Sequence, residues 1–276
     1  MRAADELMLL KLGGEVIAGP HLRALATDVA TLVTEGVRLV IVHGGGPQAS
    51  ELQRRLGQTP RIIGGERVTD EAALEVMKMA VAGKVNVDLC AALLAAGAKP
   101  VGLHGASARV IDAVKRPPKR ANVDGVDTLV DYGAVGEVVG INRTLLTLLL
   151  DGGFVPVVAC LGANAAGNVF NINGDTVARS LGVALGAASM FVITDVPGVL
   201  RDVRDRSSRI PRLTRDEGRQ AIRDGIVTGG MTLKLEECFA TLEAGIGAIH
   251  IFGRPAPGDL AREASEPGSV GTVILL

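Results

Sequence analysis

Leu7-Met8-Leu9-Leu10-Lys11-Leu12-Gly13-Gly14 reads as a buried strand that runs out onto a lysine and a glycine turn. A second apolar run, Val37 to Val42, empties in the same manner into His43-Gly44-Gly45-Gly46-Pro47. Strands this apolar belong to a parallel sheet covered by helices on both faces. Between the two runs, Leu22, Leu25, Val29, Leu32 and Val33 fall on one face of a helix that starts near Pro20 and closes at Gly36. Strand, helix, strand in that order implies a right-handed crossover.

The same alternation extends outward. Pro47 opens a helix, and Thr69 or Asp70 caps a long helical region reaching about Ala96, with a break at Gly83. Val101 to Leu103 and Arg109 to Val114 read as short strands, and Lys115 to Asp127, polar and proline-bearing, as a loop. A helix over Asn142 to Leu150 and a buried strand over Val155 to Cys160 follow. Past Gly162 the pattern restarts, with a strand at Val169-Phe170, a helix from Asp175 to about Leu185 and a strand from Met190 to Thr194. Helices from Thr214 and about Thr232, then strands Ala248 to Phe252 and Thr272 to Leu275, complete an α/β chain on a mostly parallel sheet. The seam near Gly162–Gly167 divides residues 1–165 from residues 166–276.

Composition narrows the class. Of the 276 residues 47% are hydrophobic, yet aromatic residues make up only 2%, so the core must be aliphatic. A net charge of −1 gives no global field for nucleic acid or an anionic membrane. The basic run Lys115 to Arg120 has no interleaved aromatics to stack on bases. Cys90, Cys160 and Cys238 stand apart in apolar surroundings without ligand spacing, as buried thiols do in a reducing compartment. With neither a signal peptide nor a membrane-length apolar stretch, the chain reads as a soluble cytoplasmic enzyme.

The chemistry lies in the turns. Glycines after buried strands let backbone N–H groups approach an anion, and three in a row exceed what a turn needs. Lys11, at the carboxyl end of a parallel strand, and Lys234, in a helix first turn after Gly229-Gly230-Met231, would add mobile positive charge. In Phe170-Asn171-Ile172-Asn173-Gly174-Asp175, alternation sends Asn171 and Asn173 to one side, and Asp175 could hold one or both lysines; Asn173 or Asp175 also suits a helix cap. Arg67, in Gly64-Gly65-Glu66-Arg67-Val68-Thr69-Asp70, could clamp a carboxylate bidentately. Asp195-Val196-Pro197-Gly198, beyond a strand's carboxyl end, is a nucleotide-loop candidate. His43, His104 and His250 make no metal or triad spacing and are assigned structural roles. The combination points to phosphoryl transfer without a Walker A sequence.

These stretches, with Val199-Leu200 and Thr232-Leu233-Lys234, run in one order along nearly the whole chain. Together they resemble the amino acid kinase family, and within it the kinases of acylated glutamate. The resemblance implies a three-layer αβα sandwich that uses ATP with Mg²⁺, the metal arriving on the phosphates. It implies phosphorylation of the side-chain carboxylate of N-acetyl-L-glutamate in arginine biosynthesis. By motif match, Lys11 and Lys234 would stabilise the phosphoryl group, Asp175 would orient them, and Gly14 and Gly45 would donate N–H groups. Gly45, Gly46 and Arg67 of the N-terminal lobe, 1–165, which also dimerises, would hold the acyl substrate, with Asn171 and Asn173 from beyond the seam. Asp195, Val196, Pro197, Gly198, Val199 and Leu200, with Ile226, Val227 and Thr228, would line the ATP site of the C-terminal lobe, 166–276.

The chain departs from the family where His104-Gly105-Ala106-Ser107-Ala108 replaces a Gly-Lys-Asp-Gly type stretch. The helix that precedes the first strand in arginine-inhibited members has no room here, and the tail Ala264 to Thr272 lacks their aromatic element. The expectation is a homodimer insensitive to arginine, without metal ligands of its own. A kinase of carrier-protein-linked α-aminoadipate or glutamate and a non-catalytic nucleotide-binding member are the rival readings; a Rossmann dehydrogenase is a third.

Overall fold

The computed structural model describes residues 6–19, 21–123, 125–253 and 255–276; the helix start read at Pro20 lies outside them. Eight strands form the central sheet: β1 (Leu7–Leu12), β2 (Arg38–His43), β3 (Pro100–Leu103), β4 (Val155–Ala159), β5 (Ser189–Thr194), β6 (Arg212–Thr214), β7 (Ala248–Gly253) and β8 (Thr272–Leu275). Their order is β6-β8-β7-β5-β1-β2-β4-β3. From β7 to β3 every pairing is parallel; β8 runs antiparallel to β7 and carries β6 alongside it.

The pleat sorts the core into two halves. Leu7 and Leu9 join one buried cluster with Val40, Val42 and Val158, whereas Met8, Leu10 and Leu12 join the other with Leu39, Ile41 and Val157. Each such side chain contributes about 1.5–3 kcal/mol by leaving water. Alternation therefore places Lys11 on the Leu7/Leu9 face.

The helices are α1 (Gly14–Ala18), α2 (Leu22–Thr34), α3 (Gly46–Arg55), α4 (Glu71–Met77), α5 (Asn86–Ala95), α6 (Arg143–Asp151), α7 (Gly174–Leu185), α8 (Arg215–Arg223), α9 (Gly230–Glu243) and α10 (Asp259–Ser265). Leu146 of α6, Val177 and Leu181 of α7 and Leu235 of α9 pack on the Leu7/Leu9 side. Leu25 and Val29 of α2, Leu89 and Leu93 of α5 and Leu260 of α10 pack on the other. The result is an αβα sandwich. The long helical region is capped by Asp70, whose carboxylate accepts from Ala73 N–H at 2.8 Å, and the break at Gly83 is a π-helical stretch over Lys78–Val85.

One reading needs correction. Lys115 to Asp127 is not simply a loop: Lys119–Val123 pairs antiparallel with Val126–Val130. The turn is made by Gly125 at φ +88°, whose N–H donates to Asn122 Oδ1. The hairpin is exposed on one side, so its apolar pattern is thin; Ala121, Val123 and Val130 pack with Ile63 and Tyr132 on the other. A four-stranded sheet also flanks the central one, made of Ile111–Lys115, Gly136–Ile141, Leu161–Ala163 and Val169–Asn171. The turn between the last two strands spans most of the expected seam, and the central sheet runs unbroken from β1 to β5.

Candidate active site

The carboxyl ends of β1, β2 and β5 meet at one edge, and their turns are tied together. Gly44 N–H donates to Leu12 O at 3.2 Å, and Gly13 N–H donates to Ile193 O at 3.2 Å. Gln48 Nε2 of α3 donates to Gly14 O at 2.7 Å. A Cβ on Gly14 would lie 2.7 Å from Gln48 Oε1 and 2.8 Å from Pro47 Cδ, so the two turns close only around a glycine.

Below these turns opens a cleft of about 590 Å³ that gathers Lys11, Gly14, Gly45, Gly46, Arg67, Asn171, Asn173 and Asp175. Lys11 Nζ pairs with Asp175 Oδ1 at 2.9 Å and Oδ2 at 3.1 Å, joining the end of β1 to the start of α7. The pair is largely screened from solvent, with the Lys11 side chain 13% exposed and that of Asp175 32%. Asn173 caps α7, its Oδ1 accepting from Asp175 N–H at 2.7 Å. Asn171 Nδ2 donates to Thr69 Oγ1 at 3.1 Å. Arg67 already holds Gln53 Oε1, Gly46 O and Ser50 Oγ of α3. Both Nη2 hydrogens are thereby used, and each parallel pair of guanidinium donors includes one of them, so the bidentate clamp expected of it would need one of these bonds to open.

Lys234 stands in an adjoining cavity of about 140 Å³, shared with Asp175, Arg179, Glu237 and Cys238. Its Nζ donates to Thr194 Oγ1, 3.2 Å away at the end of β5. Asp175 thus lines both cavities and bonds Lys11, while Thr194 positions Lys234. Burial pushes the Cys160 thiol up to about 11 and the Cys238 thiol up to about 12. Both therefore stay protonated at neutral pH and offer no thiolate nucleophile. Burial, reinforced by the Asp175 charge, also raises Glu237.

The model of the amino acid kinase family matches residues 6–253. The chain belongs to the amino acid kinase family. It is 59% identical over 268 residues to acetylglutamate kinase of Sorangium cellulosum, a match covering 97% of this chain and 94% of that relative. It is 53% identical to acetylglutamate kinase of an Anaeromyxobacter species, covering 97% and 98% respectively. N-acetylglutamate synthase from Neisseria gonorrhoeae, solved with coenzyme A and N-acetyl-glutamate, superposes with a TM-score of 0.81 at 26% identity. That match covers 98% of this amino acid kinase but only 59% of the synthase.

The remaining candidates of this amino acid kinase lie beyond β5. Asp195 is exposed and its Oδ1 accepts from Thr194 Oγ1 at 2.9 Å. Val199 and Val227 are buried in the core, so neither side chain is open to a ligand. Val199 N–H is itself committed to Thr272 Oγ1 at 2.9 Å. Gly198, at φ +137°, packs against Thr272, and Leu200 bridges to Arg209. Ile226 is 42% exposed and lines a shallow pocket with Ile210 and Arg212, while Thr228 is exposed nearby in the chain. Thr69, Thr194 and Gln48 are positioning groups that motif reading did not single out; their signal is a hydroxyl or amide beside a glycine turn or strand end.

Proposed function

We propose that the chain transfers the γ-phosphoryl group of ATP to the side-chain carboxylate of N-acetyl-L-glutamate, giving N-acetyl-L-glutamyl 5-phosphate for arginine biosynthesis. The observation that carries this reading is the Lys11–Asp175 pair set between two glycine turns, in a chain 59% identical to an acetylglutamate kinase. The acyl substrate lies among Gly45, Gly46 and Arg67 of residues 1–165, with Asn171 and Asn173 of residues 166–276 lining the same cleft. ATP lies along Asp195 to Leu200 and Ile226 to Thr228, on residues 166–276.

The carboxylate is ionised at neutral pH, since a glutamate side chain titrates near ~4.3, and no general base is needed. One of its oxygens attacks the γ-phosphorus in line as the bond to the β,γ-bridging oxygen breaks, and ADP leaves. Charge spreads over the equatorial oxygens. Lys11, Lys234 and the N–H groups of Gly14 and Gly45 meet it there, held before the reaction begins. Asp175 keeps the Lys11 ammonium aimed.

Mg²⁺ would neutralise phosphate charge. Among the described residues no three His, Cys, Asp or Glu side chains are grouped to hold a metal ion. Asp175 is already committed to Lys11. Such a cation would arrive on the ATP phosphates with its waters, and Asp175 and Glu237, which line the cavity around Lys234, are the carboxylates that could help hold it.

We read the assembly as a cytoplasmic homodimer. Met79, Val87 and Leu94 stand exposed along the long helical region, an apolar surface suited to a second copy. No helix among the described residues is long and apolar enough to cross a membrane. Without an aromatic residue between Ala264 and Thr272, inhibition by arginine is not expected. The deciding experiment traps the acyl phosphate with hydroxylamine while ADP release is followed. N-acetyl-L-glutamate should be turned over far faster than free glutamate or a carrier-linked α-aminoadipate; preference for the carrier-linked compound would refute the assignment.

A further inference from the structure

His43 closes β2 immediately before the Gly44-Gly45-Gly46 turn and is fully buried. The phosphoryl-transfer chemistry gives it no task, yet both ring nitrogens are engaged. Nδ1 lies 2.8 Å from Gly44 O, and Nε2 lies 2.9 Å from Asn86 Nδ2. The same Asn86 Nδ2 donates to Val157 O on β4 at 3.0 Å. A carbonyl can only accept, so the NH₂ end of Asn86 must face both partners. His43 Nε2 is therefore the acceptor, Nδ1 carries the proton, and that proton is donated to Gly44 O.

The Gly44–Gly45 peptide is trans, so its carbonyl and the Gly45 N–H point in opposite directions from one plane. With the carbonyl drawn down to a buried imidazole, the Gly45 N–H is turned away from the core. Gly45 lines the cleft, and its N–H has no acceptor among the described residues. Val81 packs close against Gly45, where an added Cβ would come to 3.0 Å from its Cγ2, so a side chain at this position would push the turn out of place.

We propose that His43 is a positioning residue for phosphoryl transfer: locked in one tautomer by Asn86, it holds Gly44 O and so aims the Gly45 N–H at the transferring group. The proposal rests on the kinase reading above for its catalytic consequence, but its geometric core can be read without substrate.

The test compares His43→Leu with His43→Asn, whose amide NH₂ takes the place of Nδ1–H. Losing an oriented N–H donor should lower kcat of the leucine variant about 10- to 100-fold, with KM for N-acetylglutamate within about threefold. The asparagine variant should return to within about fivefold of the parent. Affinity for ADP with aluminium fluoride should fall in step with kcat, while ADP alone binds unchanged. A purely structural histidine would lower stability without splitting kcat from KM.

Independently of turnover, the Gly45 amide resonance of the free protein should shift and broaden in the leucine variant and recover in the asparagine one. If the leucine variant keeps an unshifted Gly45 amide or parental kcat, or the asparagine variant is no better than leucine by either readout, the role is overturned. Failure of the wild type to phosphorylate N-acetylglutamate would instead sink the function assigned above, with the amide readout still deciding the geometry. Should the leucine variant not fold, Asn86→Leu, which frees the tautomer lock, must give the same amide shift or the proposal fails.

Discussion

A lysine that must meet a phosphoryl oxygen loses much of its advantage if it has first to be ordered, since fixing so long a side chain costs up to ~2 kcal/mol. The Asp175 pair meets that cost in the folded protein before any substrate arrives. Replacing Lys11 with alanine should therefore lower kcat by ~10²–10³, as for loss of an oxyanion donor, while the affinity for either substrate bound alone changes only modestly. Steady-state kinetics check this, and near-parental turnover would remove Lys11 from the mechanism. His43 predicts a pH effect of its own. Burial holds its imidazole at about 4, against about 6.5 when unfolded. The unfolded chain then takes up a proton that the folded one refuses, so this contribution is complete above about pH 6.5 and is lost as pH falls toward 4. Urea titrations at pH 7 and 4.5 should show His43→Asn losing less stability on acidification than the parent, by at most ~3 kcal/mol; identical losses would contradict it. Lys11, Asp175 and Arg67 were legible because charge beside a glycine turn needs a reason. His43 was not, because its task passes through a peptide plane and an asparagine 43 positions away.

Among the elements, strands and long helices followed from apolar periodicity, but α10 did not, and Asp28 explains why. It is a buried carboxylate on α2, a helix otherwise apolar on that face. Its two oxygens accept from Gly258 N–H at 2.7 Å and Leu260 N–H at 2.9 Å, so it caps α10 from 230 residues away. With a glycine at its own N-cap position, α10 has no N-cap side chain to accept from its first amides, and Asp28 supplies that acceptor across the fold. Burial raises the Asp28 carboxyl, and the backbone donors work against that rise. Asp28→Ala would strand two amide groups and should cost ~2–4 kcal/mol, a fall in Tm of roughly 5–12 °C by calorimetry. A loss no larger than that of an exposed alanine substitution on α2 would show the distant cap to be idle. The hairpin over Lys119–Val130 escaped reading for the opposite reason, since it rests on Ile63 and Tyr132 and shows solvent a largely polar side.

At the scale of the molecule, β5 from the C-terminal half lies directly beside β1 from the N-terminal half, so the two halves share one sheet and Asp175 borders both cavities. An acyl carboxylate and a nucleotide phosphate drawn to that line bring like charges face to face. Two unit charges 4 Å apart repel by ~4 kcal/mol at an effective dielectric of 20, enough to make each ligand expel the other. With the ligands placed as proposed above, Lys11 stands at their meeting point with its ammonium already held by Asp175, and it should cancel most of that repulsion. Each ligand alone at a hundred times its Kd stabilises by ~2.7 kcal/mol, or roughly 5–10 °C in Tm. With the parent protein, N-acetylglutamate and a non-hydrolysable ATP analogue should give a combined shift near the sum of the separate shifts. In Lys11→Ala each single shift should survive, because Arg67 and the nucleotide loop remain, while the combined shift falls well short of the sum. Thermal shift measured with each ligand and with both decides the matter. Additive shifts in the variant would mean that the anions do not meet at Lys11 and that phosphoryl transfer is screened by another group.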